Sequence, residues 1–272
     1  IYTALPGGLH PFWNPEGFNA NLSGGVLALF WAPALVLAWR GDSWQQRDVA
    51  KLVLVTLTAL LLLTQSRGAL LGCLAALMLI SVLQDRRWLP FWLIVLLATA
   101  VLAYHIGPTL FFETILGESD VFGASSLQGR QELWGRAAAL IRDYPLTGVG
   151  LGMVEPAIKS HYPTVLIGPD SNFKHAHNLY LQAGAEMGLP GLMAHLGLYG
   201  VLAYLLVRRA LDQGAGYYQV LALGLLGTLL VFLTHGLFEA ITYATRAAIV
   251  VWGLFGLMVA VSTSTPSQNE DD

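Results

Sequence analysis

Apolar stretches close to the length of a bilayer's hydrocarbon core recur along this chain, and they decide its class. Seven stand out, at roughly 21–39, 52–66, 68–84, 88–106, 179–207, 217–235 and 246–262. A helix needs about 20 apolar residues to cross that core. Only 11% of the residues are charged, against roughly 25% in a soluble domain. The pattern predicts an all-α protein, a polytopic bundle of about seven transmembrane helices. A net charge of −3 offers no basic surface for a nucleic acid. The single cysteine, Cys73, lies inside an apolar run. It has no partner for a disulfide or a metal site and reads as a small core or lipid-facing residue.

The short joints between runs set the orientation. Arg40, Arg47, Lys51, Arg86, Arg87, Arg208 and Arg209 fall in three of them, while residues 1–20 carry no lysine or arginine. Positive charge concentrates on the cytoplasmic side of membrane proteins. The domains expected are then an outward-facing start (1–20), transmembrane helices over 21–106 with an outward turn at 65–68, an outward loop (107–178), transmembrane helices over 179–262, and a disordered cytoplasmic tail (263–272). The chain opens at Ile1 without methionine or a basic leader, which reads as part of a longer protein with helices preceding this segment.

Two regions depart from a plain bundle. Residues 52–83 are apolar except for Gln65-Ser66-Arg67-Gly68, too long for one crossing and too short for two. A tight hairpin with short arms would recess Arg67 below the outer surface, where a charge is costly and is usually paired. The loop 107–178 is long enough to need structure of its own. Ser125 or Ser126 can cap a helix running to about Asp143 before Tyr144-Pro145. Leu133, Trp134, Ala137, Leu140 and Ile141 fall near one side of it, which suits packing on the bundle or lying on the membrane. Thr147-Gly-Val-Gly-Leu-Gly152 reads as a flexible turn. It lacks the lysine and strand context of a phosphate-binding loop.

The outward ionisable residues are Arg67, Arg130, Arg136, Arg142, Lys159, His161, Asp170, Lys174, His175, His177, Glu186 and Glu239. Arginines near a histidine suit an anionic substrate at the membrane face, because guanidinium binds phosphate oxygens in pairs and histidine accepts protons near neutral pH. His177 stands at the mouth of a membrane helix, closing the long polar stretch. His175 and His177 could form a metal pair, but no third ligand is evident, nor a His-Glu-x-x-His or cysteine pair, and no metal is expected. No Gly-x-Ser-x-Gly elbow supports a serine nucleophile. Glu186 and Glu239 either pair with an arginine or solvate a helix mouth. His105, His195 and His235 read as packed helix residues. Trp88, Trp92, Tyr104, Phe111, Phe112 and Tyr180 read as interface aromatics.

One motif ties these residues together. His177-Asn178 is followed by nine residues and then Gly188-Leu189-Pro190-Gly191. With Thr64-Gln-Ser-Arg67-Gly68, Gly129-Arg130-x-x-Leu133-Trp134 and Tyr144-Pro-Leu-Thr-Gly148-Val-Gly150-Leu-Gly152, and weaker echoes at Asn14-Pro15, Asn19-Ala20-Asn21 and His235-Gly-Leu-Phe-Glu239, the chain resembles the O-antigen ligase/polymerase superfamily of bacterial envelope glycosyltransferases. The resemblance implies a fold of about twelve helices in full, in the bacterial inner membrane, with the active site on the periplasmic side. It implies transfer of a glycan from undecaprenyl pyrophosphate to an acceptor hydroxyl, lipid A–core for a ligase, without metal or cofactor. His177 would be the catalytic base, and Arg67 and Arg130 would bind the pyrophosphate. Asn178, Glu186, Glu239 and His175 would support them. A polymerase extending a growing glycan, a protein O-oligosaccharyltransferase and, from a different class, a transporter are the alternatives. A transporter needs a polar path through mid-membrane, whereas the polar residues here gather at the outer face.

Overall fold

A computed structural model of the chain describes residues 19–107, 110, 111, 127–168, 173, 175–212, 214, 216–243 and 245–264. Nine α-helices and one short 3-10 turn are present among these residues, and no strand. The helices are α1 (Ala20–Arg40), α2 (Trp44–Thr64), α3 (Arg67–Gln84), α4 (Trp88–Ile106), α5 (Leu127–Asp143), α6 (Val154–His161), α7 (Leu179–Leu211), α8 (Tyr217–His235) and α9 (Thr245–Thr263). Of the seven long ones outside the loop, six are long and apolar enough to cross a membrane. The chain is a multi-pass helical membrane protein.

The exception among the seven expected spans is α2. Its first two turns hold Arg47, Asp48 and Lys51, so only the part from Leu52 onward is continuously apolar. The expected tight hairpin is also corrected. α2 has 21 residues and α3 has 18, and the two helices barely touch each other. Both pack on α1 instead. Gln65 turns the chain between them in a left-handed conformation, φ 53°.

α8 is the centre of the bundle, packed against α1, α3, α7 and α9. With apolar residues all around it, every face can be buried, and Leu223, Leu225, Leu226, Leu229, Val231 and Phe232 all belong to the core. Its one interior polar group is satisfied locally: Thr228 Oγ1 donates to Leu29 O at 2.7 Å, tying α8 to α1. Cys73 is in the same core. α4 stands at the periphery and reaches mainly α3. There the indole N–H of Trp92 donates to Ser81 Oγ at 2.8 Å. Trp92 is therefore a buried packing residue and not an interface aromatic. Tyr180, half-buried, packs against the core, its hydroxyl donating to Leu233 O at 2.8 Å.

The loop carries its own core. Leu133, Ala137 and Leu140 of α5, Val154 and Ile158 of α6, and Ile167, Phe173, Ala176 and Ala185 pack together. α5 packs on α7, which chooses packing over lying on a membrane surface. Glu132 holds the returning segment of the loop by accepting the N–H groups of Val165, Leu166 and Ile167. The cap at Ser125 or Ser126, Asp170, Lys174, Phe112, Asn14-Pro15 and the tail from residue 265 lie outside the described residues.

Candidate functional site

The start of α7 is fastened to the end of α8, and that junction builds the site. Asn178 caps α7, its Oδ1 accepting the N–H groups of Tyr180 and Leu181 at 3.0 and 2.9 Å. Such a cap supplies donors at a helix start with the acceptor they lack. The other end of the amide, Nδ2, donates to Leu237 O at 3.0 Å, and Leu179 N donates to Gly236 O at 2.7 Å. Asn178 therefore acts by joining two helix ends. Beyond α8 the chain turns on bonds from the Phe238 and Glu239 N–H groups to His235 O, and this turn presents Glu239.

His177, the residue before the cap, has φ 48°, a left-handed conformation that costs a residue with a Cβ about 1–2 kcal/mol. Its N–H donates to His175 Nδ1 at 3.2 Å. His175 Nδ1 is thus an acceptor, and in the neutral ring the proton sits on Nε2. That nitrogen lies 3.3 Å from Glu239 Oε1, and His177 Nδ1 lies 3.1 Å from Glu239 Oε2. The two rings are stacked edge to face, with centroids 4.4 Å apart. Glu239 also accepts the N–H of Ala240 at 3.0 Å.

Glu239 is 1% exposed, so it does not solvate a helix mouth. Burial pushes its carboxyl upward, but the His177 hydrogen bond, the two histidine charges and the Ala240 N–H outweigh it and bring it from 4.5 down to about 2. A buried carboxylate held ionised against a histidine Nδ1–H leaves Nε2 of that ring free to accept a proton, the arrangement of a base with its orienting acid.

The same cluster answers the metal question differently from the sequence. The ligand atoms of His175, His177 and Glu239 all lie within 4.8 Å of one another, so Glu239 is the third ligand that neighbouring sequence lacked. The fit is imperfect. A cation on His175 Nε2 would move the ring proton to Nδ1 and break the bond from the His177 N–H. As hydrogen-bonded, the three side chains satisfy each other without one.

Glu186 is also 1% exposed, and its surroundings explain the two glycine motifs. At Gly188, φ 68° and ψ −173°, α7 breaks its helical path. Leu189 N leaves the helix and donates to Pro145 O at 2.7 Å, and Pro190 has no N–H to give. The carbonyls of Ala185 and Glu186 are thereby freed, and an unpaired buried carbonyl is costly. Val149 N and Gly150 N fill them at 2.9 and 3.0 Å, and Gly152 N donates to Glu186 Oε1 at 2.8 Å. The glycine turn read as flexible is in fact docked along the break. Any Cβ at Gly148 would stand 2.3 Å from the Glu186 carbonyl.

Arg130, on α5, is 5% exposed and acts electrostatically on His235 at the end of α8. Arg67, half-buried, opens α3. The following residue, Gly68, abuts the rings of His235 and Phe238. His175, His177 and Glu239 thus touch directly, while Arg67 and Arg130 come to the same end of the bundle through His235 and Phe238. His235, packed against Gly25 and Gly68, links these parts. Arg136 pairs instead with Glu132 at 3.7 Å. Beside the break lies a cavity of about 230 Å³ between α7 and α9, lined among others by Leu179, Glu186, Tyr199, Trp252 and Phe255.

Residues 52–196, just over half of the chain, match a family model described as O-Antigen ligase. The match runs from α2 into α7 and contains Arg67, Arg130, His175, His177 and Glu186, with Glu239 beyond it. None of the curated proteins compared with the chain matches it.

Proposed function

Since the chain belongs to the O-antigen ligase family, we propose that it transfers a glycan from undecaprenyl pyrophosphate to an acceptor hydroxyl, of lipid A–core, at the periplasmic face of a bacterial inner membrane. The observation that carries this reading is the carboxylate of Glu239 held between His175 and His177. An alcohol is a poor nucleophile until a positioned base takes its proton. Glu239 keeps the His177 proton on Nδ1, and Nε2 receives the proton of the acceptor hydroxyl. The oxygen attacks the anomeric carbon of the donor sugar as the bond from that carbon to the pyrophosphate oxygen breaks. The bonding pair leaves on undecaprenyl pyrophosphate, and the proton on His177 is later lost to solvent or the leaving group. Arg67 and Arg130 offset the growing pyrophosphate charge. No step requires a metal or a cofactor.

The test is transfer by the full-length protein in vesicles supplied with lipid-linked glycan and lipid A–core. His177→Ala should reduce turnover by at least about 100-fold. Arg67→Ala and Arg130→Ala should raise KM for the donor. Wild-type transfer by the histidine variant would overturn the assignment, and loss of wild-type activity in EDTA would return the metal reading. Lengthening of the donor glycan in place of transfer to lipid A–core would make the protein a polymerase using the same site.

A further inference from the structure

The His175-Ala176-His177 strap is anchored from beneath by a side chain not yet given a role. Gln182 is wholly buried, one turn into α7. Its Oε1 accepts the N–H of Ala176, the residue between the two histidines, at 2.8 Å. Its Nε2 donates to Glu186 Oε1 at 2.9 Å, which also receives the Gly152 N–H at 2.8 Å. The amide can face only one way, since a carbonyl must meet the N–H and an NH₂ the carboxylate. A continuous chain of bonds therefore runs from the histidine strap through Gln182 and Glu186 to the glycine turn.

We propose that Gln182 is a positioning residue for the transfer reaction, fixing the strap so that both histidines stay in register with Glu239. It touches neither substrate nor the reacting atoms. The strap needs such an anchor because His177 occupies a left-handed conformation that its own backbone does not favour. Lost anchoring lets the two rings drift from Glu239, and misplacement of a catalytic group by about 1 Å can cost roughly 100-fold in rate. The groups Gln182 bonds are the Ala176 N–H and Glu186, not the arginines on α3 and α5 proposed to bind the donor. The rate effect rests on the proposed transfer reaction; the anchoring itself does not.

Gln182→Leu keeps the approximate volume and removes both bonds. Hydrogen exchange at the amides of residues 175–178, followed by mass spectrometry without substrate, should quicken. In the transfer assay kcat should fall about ten- to a hundredfold, with KM for the donor within about threefold of wild type. Should the leucine variant not fold, Gln182→Asn, polar but too short to span both partners, gives the same readings. Unchanged exchange in the single variant, or unchanged kcat despite faster exchange, would each overturn the proposal. The exchange arm needs no substrate, so an error in the transfer reading is seen separately, as quickened exchange in a protein without transfer activity.

Discussion

At the scale of single residues, a glutamate that is buried and charged needs compensation, and Glu239 receives it from His175, His177 and Ala240. Its carboxyl is held at about 2 from an ordinary 4.5. A depressed carboxylate stabilises the fold fully above its unfolded value and loses that contribution as pH falls through the folded one. Glu239 should thus stabilise the fold at neutral pH, a contribution lost as pH drops from about 4.5 towards 2. Thermal melts of wild type and Glu239→Gln in detergent should differ at pH 7 and converge near pH 2. The same substitution replaces one carboxylate oxygen by an NH₂ group facing histidine N–H, and kcat should fall by up to about 10⁴-fold, the loss seen when the orienting acid of a catalytic histidine becomes an amide. Across the neutral range the activity profile should show no ionisation from Glu239. A wild-type rate in this variant would remove the acid from the base. His177 was legible in sequence because a histidine at a helix mouth, followed by Gly-x-x-Gly, is a local pattern. Glu239 was named as a support, but its pairing with His177 was not legible, because it stands 62 residues away and only the pairing of the α7 start with the α8 end joins them. Gln182 had a usable signal, a polar residue four positions before Glu186 in an apolar run.

At the scale of elements, the break in α7 is the most demanding feature. At Gly188 the backbone adopts a conformation almost restricted to glycine, and a Cβ there would stand 2.7 Å from Pro145 O and from the Leu146 carbonyl carbon. Gly188→Ala should cost at least about 3 kcal/mol, strain and contact together, and release the glycine turn. Gly200→Ala, on the same helix with nothing near its Cβ, should be neutral or stabilising by up to about 1 kcal/mol. Comparing the two by thermal melt checks the break itself, and equal stability would mean that α7 can run straight. The apolar runs placed most helices well, since length and composition decide a membrane crossing. The glycine turn was misread because glycine in a sequence shows only what a backbone can adopt. The carbonyls freed by Gly188 and Pro190 are what hold it, and they belong to another element. α2 was misjudged for a related reason: its helix begins at Trp44, in charged turns that hydropathy alone assigns to a joint.

At the scale of the whole molecule, seven helices alternate in direction, so the joints sort into two ends. The starts of α1, α3, α7 and α9 and the ends of α2, α4 and α8 share one end with Glu239 and the histidines. The other end holds the turns near Gly41, Asp85 and Asp212 and the basic residues Arg40, Arg47, Lys51, Arg86, Arg87, Arg208 and Arg209. The excess of positive charge at that end predicts that it faces the cytoplasm, which puts the proposed site where a lipid-linked glycan can meet an acceptor outside. Native Cys73, the one cysteine of the sequence, is buried in the core, and Cys73→Ala, with any further cysteine of the full-length protein also replaced, gives the background for labelling. On that background Ser160→Cys, exposed on α6, should react with an impermeant maleimide in intact spheroplasts. Asp42→Cys, exposed in the turn between α1 and α2, should react only after the membrane is opened. The reverse pattern would place His177 and Glu239 on the cytoplasmic side, and with them the arginines that would meet the pyrophosphate, so the transfer reaction as written would lose both of its substrates at once.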